Sequence, residues 1–171
     1  TFDEDGQILG YVNVTLNGET KELRFSEKLD KLYRQTPSEI SVSADEWDIL
    51  RSTNVERFKR GKTIYSTTKI MQDTCNIREK ELIESYSHTR PNGEKCFTAF
   101  PAGSKYTTAG ENIQSCPEGG YITAQSAVDN WMNSPGHYAN IMNDSFQFMG
   151  VGYARHKMLQ MFATTGSNVV S

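Results

Sequence analysis

Apolar residues recur along this chain in two distinct rhythms. In YVNVTLNGETKELRF, Val12, Val14 and Leu16 alternate with polar residues, the chain turns at Asn17-Gly18, and alternation resumes toward Leu23 and Phe25. Asn and Gly both tolerate positive φ, so this stretch predicts a β-hairpin. An isolated hairpin is barely stable in water, so it is expected to dock on the main body or to belong to a preceding module. KLYRQTPSEIS then reads as a linker. The helical rhythm begins at Ser43-Ala44-Asp45-Glu46, a capping box with Ser as cap and Glu at the third helical position. Trp47, Leu50, Asn54 and Phe58 follow at helical spacing, and Gly61 marks the stop. A second helix is predicted from about Thr67 to Tyr86, with Ile70, Cys75, Ile77 and Leu82 toward the core. Residues 87–96 read as a loop, and residues 97–122, rich in Gly, Thr and Pro, as mostly irregular. Thr123 caps a third helix with Ala127, Val128 and Trp131 on one face. Ser134-Pro135 ends it and restarts the chain as a short fourth helix, because a first-turn proline lacks only an N–H that has no helical partner. Met149, Val151 and Tyr153 alternate, as do Leu159, Met161 and Ala163, giving two strands joined by RHKM. Helices first and paired strands last predict an α+β domain with helices packed on an antiparallel sheet.

Composition narrows the function more than the fold. The chain has 171 residues, 36% hydrophobic and 23% charged, with a net charge of −3. That length suffices for one domain with a real core. That slightly acidic balance argues against a nucleic-acid binder, which is usually basic with clustered Lys and Arg. No run of apolar residues is long enough to span a membrane as a helix. The start at TFDEDG, without Met or a basic-then-apolar leader, reads as a mature or trimmed fragment. Three cysteines, Cys75, Cys96 and Cys116, allow at most one intramolecular disulfide. Three buried thiols and one disulfide with a spare thiol are both compatible with that count.

The three histidines are His88, His137 and His156. His137 falls in the first turn of the fourth helix, right behind Ser-Pro-Gly. His156, between Arg155 and Lys157, reads as a solvated turn residue. The glycines of GVG read as positions of close packing, since no helix start follows them to receive a phosphate.

Four segments, SHTRPNG, GENI, AVDNWMNSPGHYANIM and FMGVGYA, in this order resemble the CAP superfamily of cysteine-rich secretory, antigen-five and plant pathogenesis-related proteins. The bacterial, SCP-like branch is the nearest in kind. ILRSTNVERFKRGK looks like the first helix of that family, so the resemblance spans Ser43 to Thr165. It implies a three-layer α-β-α sandwich with a mainly antiparallel central sheet, preceded here by the hairpin arm. The expected division is 1–42, hairpin arm and linker, and 43–171, CAP domain. It also implies a cleft holding His88, Glu111 and His137. A second acid of many eukaryotic members is replaced by Ser134, and the arginine common after the second histidine by Tyr138. Ser134 and Tyr138 complete the expected cleft lining.

Two neutral imidazoles within reach of one ion can bind Zn²⁺ or another divalent cation, with a carboxylate completing or orienting the set. His88 and His137 are the metal-ligand candidates, and the same trio is the candidate catalytic set of a metal-dependent hydrolase. A serine enzyme needs a hydroxyl beside an oriented histidine. Ser134 is expected to spend its hydroxyl on backbone as a helix cap, Ser87 adjoins His88 only in sequence, and no GxSxG elbow is present. If a disulfide forms, a return of the chain across the second helix favours Cys75–Cys96, with Cys96–Cys116 the alternative. The reading is an exported or cell-surface CAP-domain protein. Its role is to bind a protein, lipid-like or glycan partner through the His/Glu cleft, with no established reaction. The alternatives are the hydrolase and a structural or adhesive surface domain with a vestigial cleft.

Overall fold

The computed structural model describes residues 10–16, 19–25 and 42–165. Strands β1 (Gly10–Leu16) and β2 (Glu19–Phe25) pair antiparallel, with Gly10 opposite Phe25 and Leu16 opposite Glu19. The Asn17-Gly18 turn and the linker expected after the hairpin lie outside the described residues.

Helix α1 (Ala44–Lys59) begins with the expected capping box: the Glu46 N–H donates to Ser43 Oγ and the Ser43 N–H to Glu46 Oε2. Gly61, at φ 70°, follows its end. Its inward face is more polar than the sequence pattern suggests. Ile49 and Leu50 are buried, but so are Thr53, Asn54 and Arg57, while Trp47 and Phe58 stay only partly covered. Asn54 exchanges two hydrogen bonds with the backbone of Tyr65. Arg57 donates to the carbonyls of Thr63 and Ile141 and to the Tyr65 hydroxyl. These anchors tie α1 to the loop behind it and need burial to exclude water.

Helix α2 (Lys69–Glu84) is capped by Thr68. Met71, Cys75, Arg78 and Leu82 form its buried stripe. Ile77, expected in the core, is 43% exposed. The neighbouring Arg78 takes the inward position instead, because carboxylates wait for it there.

The largest departure from the sequence reading is β3 (Tyr106–Ser115), in a region expected to be irregular. It pairs antiparallel with β5 (Lys157–Thr165), which pairs on its other side with β4 (Phe148–Ala154). The sheet order is β3-β5-β4, so the last strand in sequence is the central one. YTTAGENIQS lacks apolar alternation because its central positions carry polar site residues. Between the strands come α3 (Ala124–Met132), capped by Thr123, and α4 (Pro135–Ile141).

Alternation along β5 serves two cores. Met158 and Phe162 join a cluster with Ile49, Leu50, Ala127, Val128, Trp131 and Ile141. Leu159, Met161 and Ala163 join another with Met71, Cys75 and Leu82. Each fully buried large apolar side chain contributes about 1.5–3 kcal/mol. Glycine sets how close α2 comes to β4: a Cβ at Gly150 would lie 2.7 Å from Met71 O and from Cys75 Sγ. The glycines of GVG are therefore packing positions, as expected.

Candidate functional site

Glu111 lies on β3 opposite Met161, with a side chain only 1% exposed. Arg78, fully buried on α2, grips it with two bonds: Nε donates to Oε2 at 2.8 Å and Nη2 to Oε1 at 3.1 Å. The remaining guanidinium contacts reach Glu81 Oε2 at 2.7 Å and the Ser87 carbonyl at 2.8 Å. Glu81 is gripped in turn by Arg90, whose Nη2 donates at 2.7 Å. Burial pushes the Glu81 carboxyl up, but the bonds from Arg90 and Arg78 outweigh it and hold the group below its ordinary value. Charges thus alternate along Arg90, Glu81, Arg78 and Glu111, each bonded to the next.

This chain of charges holds His88. The carbonyl before it is fixed by Arg78, its own carbonyl accepts from the Cys96 N–H, and its Nδ1 lies 2.9 Å from Glu111 Oε1. A carboxylate only accepts, so Nδ1 carries the proton of this bond and Nε2 is left as the other ring nitrogen. The side chain is 58% exposed, which leaves Nε2 open to solvent.

His137 is held differently. Ser134 occupies the cap position of α4 but makes no bond to backbone with its hydroxyl. Its Oγ lies 2.9 Å from His137 Nδ1 instead, which corrects the expectation from the sequence. The imidazole three positions on competes for the hydroxyl. A buried amide relay seats the helix on the sheet. Gln160 donates to Thr53 and accepts from Asn112, and Asn112 also donates to the His137 carbonyl and accepts from Asn140. Burial, and then the charge of nearby His88, lower the His137 pKa from its ordinary value.

The expected residues are therefore assembled unequally. His88 and Glu111 are hydrogen-bonded, while His137 feels His88 electrostatically and bonds only through Ser134 and its backbone. Tyr138 is 38% exposed and its ring lies 6.0 Å from the Arg60 guanidinium. It is no partner for Glu111. That partner is Arg78, which the sequence reading missed. The available signal was one arginine inside the stripe Met71, Cys75, Arg78, Leu82, since an arginine in a buried stripe requires a buried anion.

A divalent metal fits this donor set poorly. Both Glu111 oxygens are engaged by Arg78, and among the described residues no group of three His, Cys, Asp or Glu side chains stands where it would hold an ion. Only the Nε2 atoms of His88 and His137 remain as ligands. A serine mechanism lacks its orienting acid, since no carboxylate among the described residues bonds His137. Cys75, Cys96 and Cys116 are separate buried thiols, so the Cys75–Cys96 pairing is not formed. Burial, and then the Glu111 charge, push the Cys96 thiol up to about 12. Two surface grooves, of about 690 Å³ beside Arg51 and Tyr121 and about 330 Å³ beside Arg57 and Asp144, contain no histidine.

Comparison with known proteins agrees with the motif reading. The model of the cysteine-rich secretory protein family, CAP, matches residues 33–166. The uncharacterized protein YkwD of Bacillus subtilis is 32% identical over 127 residues, covering 72% of this chain and 48% of that protein. The uncharacterized membrane protein YlbC of the same organism is 23% identical, covering 91% of this chain and 60% of its own length. The chain thus spans about half of these curated relatives. Among the solved structures that share its fold are two bacterial ones. One is an extracellular SCP-domain protein of Bacillus anthracis, with TM-score 0.60 and 21% identity, covering 85% of this chain and 47% of that one. The other is an outer surface protein of Borrelia burgdorferi, with TM-score 0.64 and 16% identity, covering 74% of this chain and 96% of that one. No helix among the described residues is long and apolar enough to cross a membrane.

Proposed function

The chain belongs to the cysteine-rich secretory protein family, and on that premise we propose that it is a binding module of the bacterial surface or exterior. In this reading His88 and His137 meet the ligand. The observation that carries it is the engagement of Glu111, whose two oxygens are taken by the Arg78 fork and by His88 Nδ1. A carboxylate held this way orients an imidazole and balances a buried charge. With both oxygens already accepting, it is poorly placed to bind a metal or take a proton from water. The same engagement weighs against the metal-dependent hydrolase.

The two core clusters served by opposite faces of β5 support a three-layer α-β-α sandwich, and the proposal divides the chain into a hairpin arm and linker, 1–42, and the CAP domain, 43–171. The extracellular and outer-surface relatives support a location outside the cell. The exposure of His88 suits an extended protein, glycan or lipid-like partner that stays partly in solvent.

The test is a histidine-detected NMR screen with a chitin oligosaccharide, a synthetic peptide library and a soluble sterol, run beside product analysis. The reading expects one class to shift the ring signals of His88 and His137, to lose that effect in His88→Ala/His137→Ala, and to be recovered unchanged. Cleavage of a bound probe, abolished by the same substitutions, would establish an enzyme instead. No response from either ring while binding proceeds elsewhere would leave the cleft vestigial.

A further inference from the structure

Away from the histidines, two carboxylates converge on the outer edge of the sheet. β4 is an end strand, and its outward N–H groups are met one after another. Met149 donates to the Ser66 carbonyl and Val151 to Gln72 Oε1 at 2.9 Å. At Tyr153 two acceptors compete for one donor: its N–H lies 3.0 Å from Glu79 Oε2 and 3.4 Å from Glu46 Oε1.

Neither acid has room to retreat. Glu46 is 5% exposed, and its other oxygen is committed to the Ser43 N–H in the capping box. Glu79 is packed against the strand, where a Cβ at Gly152 would come within 3.1 Å of its own Cβ. Few groups face the pair. From α1 there is Glu46 itself, from α2 the Cys75 thiol and Lys80, and from β4 the backbone N–H of Tyr153. Lys80 is exposed and belongs to Glu79's own helix, so among the described residues no buried cation neutralises the acids. Two carboxylates at one N–H repel when both are ionised, whereas one proton between them supplies the missing hydrogen bond.

We propose that Glu46 and Glu79 share one proton and form a pH-sensitive clamp joining α1 and α2 to the outer edge of β4, closed in mildly acidic surroundings and loosened in alkaline ones. Burial, and then the Glu46 charge, raise the Glu79 carboxyl from 4.5 to about 7, and burial also raises Glu46. The folded state therefore holds a proton that the unfolded chain releases. The clamp's contribution is complete below 4.5 and is lost as pH rises through about 7. His137 acts with the opposite sign below 6.5, over part of the same range, so the clamp is read from the difference between wild type and Glu79→Gln.

The experiment is thermal unfolding of the chain from about pH 5.5 to 8.5, with ¹³C detection of the Glu79 carboxyl. Wild type is expected to lose about 5 °C in Tm between about pH 5.5 and 7.5 and to change little above that. Glu79→Gln, whose amide donates to Glu46 and accepts from Tyr153, is expected to lack that fall and to exceed wild type at the alkaline end. The Glu79 signal is expected to titrate near neutrality. A wild-type Tm without that fall, a fall retained in Glu79→Gln, or a Glu79 midpoint at an ordinary carboxyl value overturns the proposal. Should Glu79→Gln fail to fold, the wild-type carboxyl titration decides alone.

Discussion

Replacing Arg78 with Met tests the claim that a buried ion pair underlies the site. The guanidinium is fully buried and donates to Glu111 twice, to Glu81 and to the Ser87 carbonyl. Methionine fills much of the volume but leaves Glu111 charged and buried, with only the exposed His88 ring and the Cys96 thiol beside it. Breaking a buried pair from one side costs about 3–5 kcal/mol. For a domain of this size that is a fall in Tm of roughly 6–20 °C. Removing the other partner as well should recover part of the loss, because the uncompensated charge disappears. Arg78→Met/Glu111→Leu is therefore expected to be more stable than Arg78→Met alone, with strong coupling in a double-mutant cycle by urea denaturation. Loop 87–96 should still loosen in both variants, since Ser87 loses its donor. The reasoning fails if Arg78→Met costs under about 1 kcal/mol, or if the two losses simply add.

Three further outcomes are expected. The His137 ring should titrate below 6.5, and His88→Ala should move it back toward that value; unfolded imidazole takes up a proton that the folded ring resists, so stability falls as pH drops below 6.5, and less so in His137→Gln. A thiol assay should find none of the three cysteines reactive in the native protein and all three after unfolding without reductant, whereas a single thiol on unfolding would reveal a disulfide. Gly150→Ala places a Cβ 2.7 Å from the Met71 carbonyl and should cost about 2 kcal/mol by urea denaturation; a neutral result would mean that α2 can withdraw from β4.

Local chemistry explains which features were legible in the sequence. The Ser43 capping box, the Thr123 cap, the break at Ser134-Pro135 and the β4–β5 pair were readable because caps, prolines and alternating side chains act over a few residues. β3 was not, since Gly110, Glu111 and Asn112 interrupt its apolar pattern and its pairing with β5 closes a loop of dozens of residues. Ile77 was misplaced for a related reason: hydrophobicity favours it inward, but Arg78 has carboxylates to satisfy and takes the buried position. In the site, motif resemblance picked out His88, Glu111 and His137. It could not supply the Arg78 pairing or the turn of the Ser134 hydroxyl toward an imidazole, because both depend on which groups meet in space.

The central claim is that Glu111 pins His88 and is no metal ligand or base. Zinc titration by calorimetry tests it most directly, on wild type, Glu111→Gln and His88→Ala/His137→Ala, at pH 7.5 and again at 5.5. The account predicts at most weak binding through two imidazoles, diminished at the lower pH as they protonate, and unchanged in Glu111→Gln. Tight one-to-one binding that Glu111→Gln abolishes would contradict it, make the carboxylate a ligand, and restore the metal-dependent hydrolase.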